Sequence, residues 1–467
     1  MGWSRAEILA ATGGKIDCPG QHSRYGSIVI ASGKVKKGSV FVALKGARHD
    51  GHRFVGEAVR RGATCVIAHR ALPRSVVGGA TLVRVADTLR ALGDLAHLRR
   101  QQLAPLVLAI TGSNGKTTTK EMLAAVLEEA SLNGQPLRRK VLKTEGNFNN
   151  LVGLPLTLLR LRKRDKVAVV ELGTNHPGEI QRLAEIADAD FAVITSVAAA
   201  HLEGLHSLAG VAREKGALYR NLRTGGAIAV NLDDPWVSRL GARFKGPKFT
   251  YGARGQLRAQ NVMLRNAKGV AFTLRAGKRR CQVRLNYLGQ HNVANALGAA
   301  ALALAAGASL AAVRRGLAKA KPYAMRMQID TWRGIGIVND AYNANPASMQ
   351  AALHTLAEIP SRGKKVAVLG DMFELGSQSR RQHRELGEMA ARAKLDQLYL
   401  LGSQADVVRR GALNSGMAAA KIIIGKDHSD IATQLRACTR AGDWLLIKGS
   451  RGMEMEKVLH ELTGGKA

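Results

Sequence analysis

Residues Leu106 to Lys120 read LVLAITGSNGKTTTK. Leu106 to Ile110 is a short apolar run with β-branched members, the pattern of a buried strand. It breaks into the turn Thr111-Gly112-Ser113-Asn114-Gly115, after which Lys116 and Thr117 open a helical pattern with Met122, Leu123, Val126 and Leu127 on one face. A strand, a glycine turn and a helix N-terminus make a phosphate cradle. Glycine lets the backbone approach an anion closely, and the N–H groups of the first helical turn point at it. Lys116 is expected to neutralise the β- and γ-phosphates, and the Thr117 hydroxyl to ligate Mg²⁺. Ile110 stands where the longer G-x-x-x-x-G-K-[ST] form begins with glycine, so the spacing is the shorter G-x-x-G-K-T. The stretch predicts a nucleoside triphosphate site built from Gly112, Ser113, Asn114, Gly115, Lys116, Thr117 and Thr118.

Around this stretch, 467 residues give room for two or three domains, and 46% hydrophobic content excludes a disordered chain. The formal charge of +35 raises nucleic acid, an anionic membrane or acidic substrates as partners. Aromatic residues are only 4%, leaving few platforms for stacked bases, and the basic clusters are short and scattered. The charge therefore reads as a solvated surface, with no nucleic acid expected. Cys18, Cys65, Cys281 and Cys438 fall in no zinc or C-x-x-C spacing, and read as reduced, mostly buried thiols of a cytoplasmic protein. The Ala294–Val313 stretch is too alanine-rich for a membrane span; with Gly307 as a stop, it predicts two packed helices. No membrane insertion is expected.

The chain alternates strand and helix patterns from end to end, which predicts an α/β protein of three domains with mostly parallel sheets. The expected parts are a small N-terminal α/β domain over residues 1–103, a central P-loop ATPase-like domain over 104–322, and a Rossmann-like domain over 323–467. In such sheets ligands gather at the carboxyl ends of strands. Glu171 ends one strand and His201 follows another, an oxygen donor and an imidazole suited to Mg²⁺. Taken alone, Glu171 could also be a helix-capping acid, and His201 reads equally as a packed residue or a ligand. The loop holding Lys45, Arg48, His49, Asp50 and His52 reads as solvated. The Asn339–Met349 run, NDAYNANPASM, is dense in turn formers at a strand end and reads as part of a site.

Taken together, these motifs resemble the Mur ligases, and within them the branch that adds D-alanyl-D-alanine. The resemblance rests on ITGSNGKTTTK, TEGNFNNLVGLPLTLL from Thr144, ELGTNHPGEI from Glu171, AHLEGLHSLAGVAREKG from Ala200 and LGQHNVANALGAAALA from Leu288. It continues through RMQ at Arg326, NDAYNANPASM, VLGDMFELG from Val368 and KGSRGMEME from Lys448. It implies an ATP- and Mg²⁺-dependent amide ligase of peptidoglycan precursor synthesis, cytoplasmic and monomeric. Its partners would be UDP-N-acetylmuramoyl-tripeptide and D-alanyl-D-alanine, joined through an acyl phosphate. Carried over by residue, Lys116, His201 and Lys215 would be catalytic, with Lys215 carbamylated by CO₂. Thr117 and Glu171 would hold a first Mg²⁺, and His201 with the Lys215 carbamate a second. Asn292 and Asn295 would lie near the adenine, Arg326 and Asp340 would reach ATP from the third domain, and Lys448, Ser450 and Arg451 would meet substrate.

Two segments depart from the family pattern. Ala31-Ser32-Gly33-Lys34 lacks the acid and arginine that grip the uridine nucleotide, leaving Lys34, Lys36 or Lys37 to supply charge. Lys215-Gly216-Ala217 lacks the usual glutamate, leaving Glu214 as the nearby acid. The rival readings are another Mur-type or folylpolyglutamate-type amino-acid ligase, and a nucleic-acid-stimulated NTPase.

Overall fold

A computed structural model of the chain describes residues 2–46, 49–265 and 268–465. Arg48 of the basic loop falls outside them. The chain packs into two compact units. One comprises Met1–Val107, Leu142–Leu172 and Gln181–Ala189; the other comprises Leu108–Val141, Gly173–Ile180 and Asp190–Ala467.

The first unit carries a five-stranded sheet in the order Lys15–Cys18, Thr81–Arg84, Ala63–Ala68, Ser39–Val42 and Ile28–Val29. Only the Lys15–Cys18 edge is antiparallel. The inner strands are apolar on both faces because helices cover both, as parallel sheets require. The Thr88–Leu103 helix starts on Asp87, whose carboxylate accepts from the Leu89 and Arg90 backbone N–H groups. The loop before the Gly51–Phe54 turn is less solvated than its composition suggests. His52 is buried, its Nδ1 2.6 Å from Asp50 Oδ1. The His52 backbone N–H and ring together hold the Asp50 carboxyl down at about 2.

In the second unit the Leu108–Thr111 part of the strand Leu106–Thr111 lies beside Phe191–Ile194, then Ala227–Asn231, then Lys248–Tyr251, all parallel. The sheet continues into Leu257–Leu264, Val270–Ala276 and Arg279–Leu285, an antiparallel ribbon absent from the sequence reading. The alanine-rich stretch is two helices, Gln290–Ala305 and Leu310–Lys319, separated at Gly307 with φ +95°. The same unit holds a six-stranded sheet, ordered Gln328–Trp332, Ile335–Asp340, Trp444–Lys448, Lys365–Gly370, Gln397–Leu401 and Ile422–Ile424. Only its first strand is antiparallel, joined to the second by the two-residue turn Arg333-Gly334 with both φ positive. The α/β reading with mostly parallel sheets holds throughout.

The cysteines are a partial correction. All four are free, but only Cys65 is buried; Cys18, Cys281 and Cys438 are half-exposed, since each lies on an outer strand or an outer helix end. Among the described residues no helix is long and apolar enough to cross a membrane.

Candidate active site

The phosphate loop forms as its sequence predicts. The Leu106–Thr111 strand leads through the glycine turn into the Lys116–Glu128 helix, whose N-terminus has no side-chain cap and leaves its first N–H groups for a ligand. Its shape is set by close approach at two glycines. At Gly112, φ is +151° and a Cβ would lie 1.9 Å from Thr195 Oγ1. At Gly115, φ is +81° and a Cβ would lie 2.1 Å from Asn295 Oδ1. The neighbouring strand end braces the loop: the Ser113 N–H donates to the Ser196 carbonyl at 2.8 Å, and Ser113 Oγ donates to the Ala198 carbonyl at 3.0 Å. Lys116 Nζ reaches back to the Gly112 carbonyl at 2.7 Å, so the ammonium lies across the loop. Thr117 is buried and Thr118 half-buried behind it.

Gly112→Ala isolates this geometry. The clash with Thr195 adds to an unfavourable φ, together roughly 1–3 kcal/mol of strain at the loop. The expected outcome is a KM for ATP raised about tenfold or more, with an unchanged far-UV circular dichroism spectrum.

Asn292 and Asn295 stand at the same end of the Gln290–Ala305 helix. Asn295 Nδ2 donates to Asn292 Oδ1 at 2.9 Å, and Asn292 Nδ2 donates to the Leu288 carbonyl at 2.7 Å. Both side chains are buried, and Asn295 is the packing partner that requires Gly115. Next to them His291 is pushed down to about 4, chiefly by burial; Lys448 and His354 push the same way and Asp340 opposes them. An unfolded imidazole binds its proton near 6.5. Between 6.5 and 4 the unfolded chain therefore carries a proton that the folded chain refuses. Stability is full above this window and falls as pH drops through it. His291→Gln is expected to flatten that fall, read from melting temperatures taken at stepped pH.

Lys215 lies on the Leu208–Arg220 helix, essentially unexposed. Burial first, then the positive charge of Lys116, holds its amine well below the usual 10.5, with Glu214 pulling the other way. The nearby acid does not stand in for the one missing at Ala217. Glu214 Oε1 accepts from the Ile180 N–H at 2.7 Å and Oε2 from the Gly178 N–H at 2.8 Å, with the Thr174 hydroxyl at 3.3 Å. Its carboxylate is committed to holding the turn before the Glu179–Ala187 helix.

His201 has a partner that the sequence did not suggest. Its Nδ1 is 2.5 Å from Glu374 Oε2, and the Glu203 N–H donates to the Glu374 carbonyl at 3.2 Å. The imidazole holds the Glu374 carboxyl below its ordinary range. A second such bridge joins the phosphate loop to the Pro346–Glu358 helix. Asn345 Nδ2 donates to Asn114 Oδ1 at 2.8 Å while Asn345 Oδ1 caps the helix at Ser348 N–H. The NDAYNANPASM run is thus both a helix cap and a contact to the loop.

Of the third-domain candidates, Arg326 stacks on Tyr342, 4.0 Å from the ring centroid, with its Nε buried and without a hydrogen-bond partner among the described residues. Asp340 accepts from Lys448 Nζ at 2.5 Å, and Lys448 is buried rather than presented outward. Arg451 pairs with Glu456, and Ser450 Oγ accepts from the Phe373 N–H at 2.8 Å.

In the first unit, Glu171 ends its strand and is buried. Its Oε1 accepts from Asn149 Nδ2 at 2.8 Å, while Oε2 has no hydrogen-bond partner among the described residues. That unit also contains a 740 Å³ cavity lined by Trp3, Ala31, Lys34, Arg99, Phe148 and Arg160 among others. Lys34 faces it; Lys36 and Lys37 do not. The Arg99 guanidinium lies 4.1 Å over the Trp3 ring. Phe148 lies in the TEGNFNN motif, but Arg99 and Trp3 escaped the sequence reading because the three come from separate segments.

Family models match nearly the whole chain: the Mur ligase family catalytic domain over residues 24–100, the Mur ligase middle domain over 110–303, and the Mur ligase glutamate ligase domain over 325–451. The chain belongs to the Mur ligase family. Among characterised Mur ligases, it is 37% identical to the UDP-N-acetylmuramoyl-tripeptide–D-alanyl-D-alanine ligase of Escherichia coli, across 92% of both chains. It is 34% identical to the Bacillus subtilis enzyme of the same name, across 92% of this chain and 91% of that one. Among solved Mur ligases, MurF from Acinetobacter baumannii superposes with a TM-score of 0.90 at 32% identity, covering 99% of each chain. MurF from Thermotoga maritima, solved in complex with ADP, gives 0.84 at 30% identity, covering 94% of this chain and 97% of that one.

Proposed function

We propose that this chain joins D-alanyl-D-alanine to UDP-N-acetylmuramoyl-tripeptide, converting ATP to ADP and phosphate. The observation that carries this reading is the full-length likeness to ligases bearing that activity in their names. The chemistry suits the residues. A carboxylate is a poor electrophile at neutral pH. Its oxygen attacks the γ-phosphorus of ATP, ADP leaves, and the acyl phosphate so formed accepts the dipeptide amine. The amine loses its proton, and the tetrahedral intermediate expels inorganic phosphate. The protein supplies position and charge. The Lys116 ammonium at the phosphate loop meets the charge on the transferred group, and the loop N–H groups orient the phosphates.

Mg²⁺, when bound, would neutralise the triphosphate and polarise the transferred group. Thr117 and Glu171 are the proposed ligands of one Mg²⁺, and His201 with carbamylated Lys215 those of a second. The orphaned, buried Glu171 Oε2 fits a hard cation that takes oxygen ligands and few of them from protein. Lys215 fits carbamylation because only a neutral amine attacks CO₂, forming the N–C bond and releasing a proton, and burial favours the neutral amine. Asn292, Asn295, Arg326 and Asp340 are assigned to ATP. The 740 Å³ cavity is assigned to the uridine-diphosphate end, with Lys34, Arg99 and Arg160 supplying cations where the family arginine is missing. The boundaries 1–103, 104–322 and 323–467, a cytoplasmic location and a monomeric state belong to the same proposal.

The test is phosphate release from ATP by the purified protein with Mg²⁺, UDP-N-acetylmuramoyl-tripeptide and D-alanyl-D-alanine, omitting each in turn. Release that requires both substrates, with a product heavier by one dipeptide, is the expected result. Release with single amino acids but not the dipeptide would move the chain to another branch of the family.

A further inference from the structure

Between Asp234 and Asp330 the sequence holds eighteen lysines and arginines and no aspartate or glutamate, about half of the molecule's excess charge. Part of this segment is the antiparallel ribbon Leu257–Leu264, Val270–Ala276 and Arg279–Leu285. Its register sorts the residues by face. Phe272, Leu274, Val283 and Leu285 are buried on one side. The other side is a run of cross-strand rows. Arg258 pairs with Arg275, and Arg275 with Arg280, so three arginines stand side by side. In the next row Gln260, Thr273 and Gln282 lie together, and beyond it Met263 pairs with Ala271 and Ala271 with Arg284.

Like charges directly opposed across strands destabilise a sheet. Among the described residues none of these four arginines forms a salt bridge, and all are exposed. The Arg258 and Arg275 side chains are instead steadied on the backbone, each donating from Nε to a nearby carbonyl, Gly255 at 2.7 Å and Gly277 at 3.1 Å. The ligase chemistry uses none of them.

We infer that this outward ribbon face docks on an anionic lipid bilayer. Charge complementarity calls for a polyanion, and the details select among polyanions. Among the described residues the face carries no outward tryptophan, tyrosine or phenylalanine, so it offers no stacking platform for bases. Its far end exposes two apolar side chains in and beside the row that holds Arg284. A bulge between Gln260 and Met263, with Asn261 at φ +53°, leaves Val262 41% and Met263 63% exposed. Arginines on a flat face beside an exposed apolar edge match lipid headgroups over acyl chains. A phosphodiester backbone has no use for that edge.

The experiment is sedimentation of the full chain with vesicles of 30% phosphatidylglycerol in phosphatidylcholine, with pure phosphatidylcholine as the comparison, from low to high salt. Binding is expected to the anionic vesicles alone and to weaken as salt rises. The triple variant Arg258→Gln, Arg275→Gln, Arg280→Gln is expected to lower partitioning on the order of a hundredfold, with ligation unchanged. A control, Arg362→Gln, Arg409→Gln, Arg410→Gln, removes the same charge elsewhere and is expected to retain most of the binding. Equal loss in both variants, equal binding to neutral vesicles, or no vesicle binding would overturn the inference. So would competition in which RNA or DNA displaces the vesicles and the ribbon variant loses the nucleic acid as well. If ligation itself is absent in the parent, the function proposal fails while the vesicle result still stands.

Discussion

Lys215→Met is expected to lower amide ligation by at least about a thousandfold while making the protein more stable. The two effects have one cause. Methionine has nearly the length of lysine and fills the same space, so no large cavity opens. It removes an amine that folding takes out of water beside the positive charge of Lys116. It also removes the proposed carbamate, and with it one carboxylate-like ligand of a metal worth several kcal/mol to the transition state. The amine is lowered in the folded chain and ordinary, near 10.5, in the unfolded one. Between those two values the unfolded state binds more protons, so this group makes stability rise with pH up to about 10.5. Thermal melts in CO₂-depleted, metal-free buffer should show a higher melting temperature for Lys215→Met near neutral pH. The gap should narrow as the buffer is made more alkaline. ATP binding by calorimetry should stay within about threefold of the parent, and added bicarbonate should not restore ligation. Turnover at the parental rate would remove Lys215 from the mechanism.

What the sequence made legible and what it hid divide along locality. The phosphate loop could be read because strand, turn and helix are contiguous, and because Gly112 and Gly115 do what their spacing requires. The parallel strands could be read because each is a short apolar run ending in polar residues, and the Gly307 break because a helix stop is a local signal. The antiparallel ribbon was missed although Gln282 and Arg284 alternate with the buried Val283 and Leu285. The basic residues on its outer face look like solvated charge until the register aligns them. The Asn114–Asn345 and His201–Glu374 contacts join positions more than 170 residues apart in sequence, and no spacing rule brings them together. Glu214 shows the converse limit. Adjacency to Lys215 suggested a shared site, but its carboxylate holds Gly178 and Ile180.

Glu374→Ala should lower kcat by about 10- to 100-fold, the usual range when a group orienting a metal-ligating histidine is removed. The geometry is specific. Glu374 Oε2 lies 2.5 Å from His201 Nδ1, which directs the ring's Nε2 away from the carboxylate, and the carboxylate makes that nitrogen a better ligand. Both residues sit in left-handed backbone, His201 at φ +56° and Glu374 at +61°, a conformation costly for side chains of this size. Strain on both sides of one contact ties the position of the imidazole to the VLGDMFELG segment. Glu374 acts through His201, so it is a positioning residue, and the readout must separate this role from general support of the fold. In Glu374→Ala the Mg²⁺ concentration giving half-maximal activity should rise about tenfold, with little change in the KM for ATP. Glu374→Gln keeps an oxygen acceptor for the ring and should recover most of kcat and most of the Mg²⁺ dependence. A structural role alone would lower the melting temperature of both variants and leave the Mg²⁺ dependence untouched. That result would separate His201 from the metal, and the proposed ligand set would then rest on Thr117, Glu171 and Lys215.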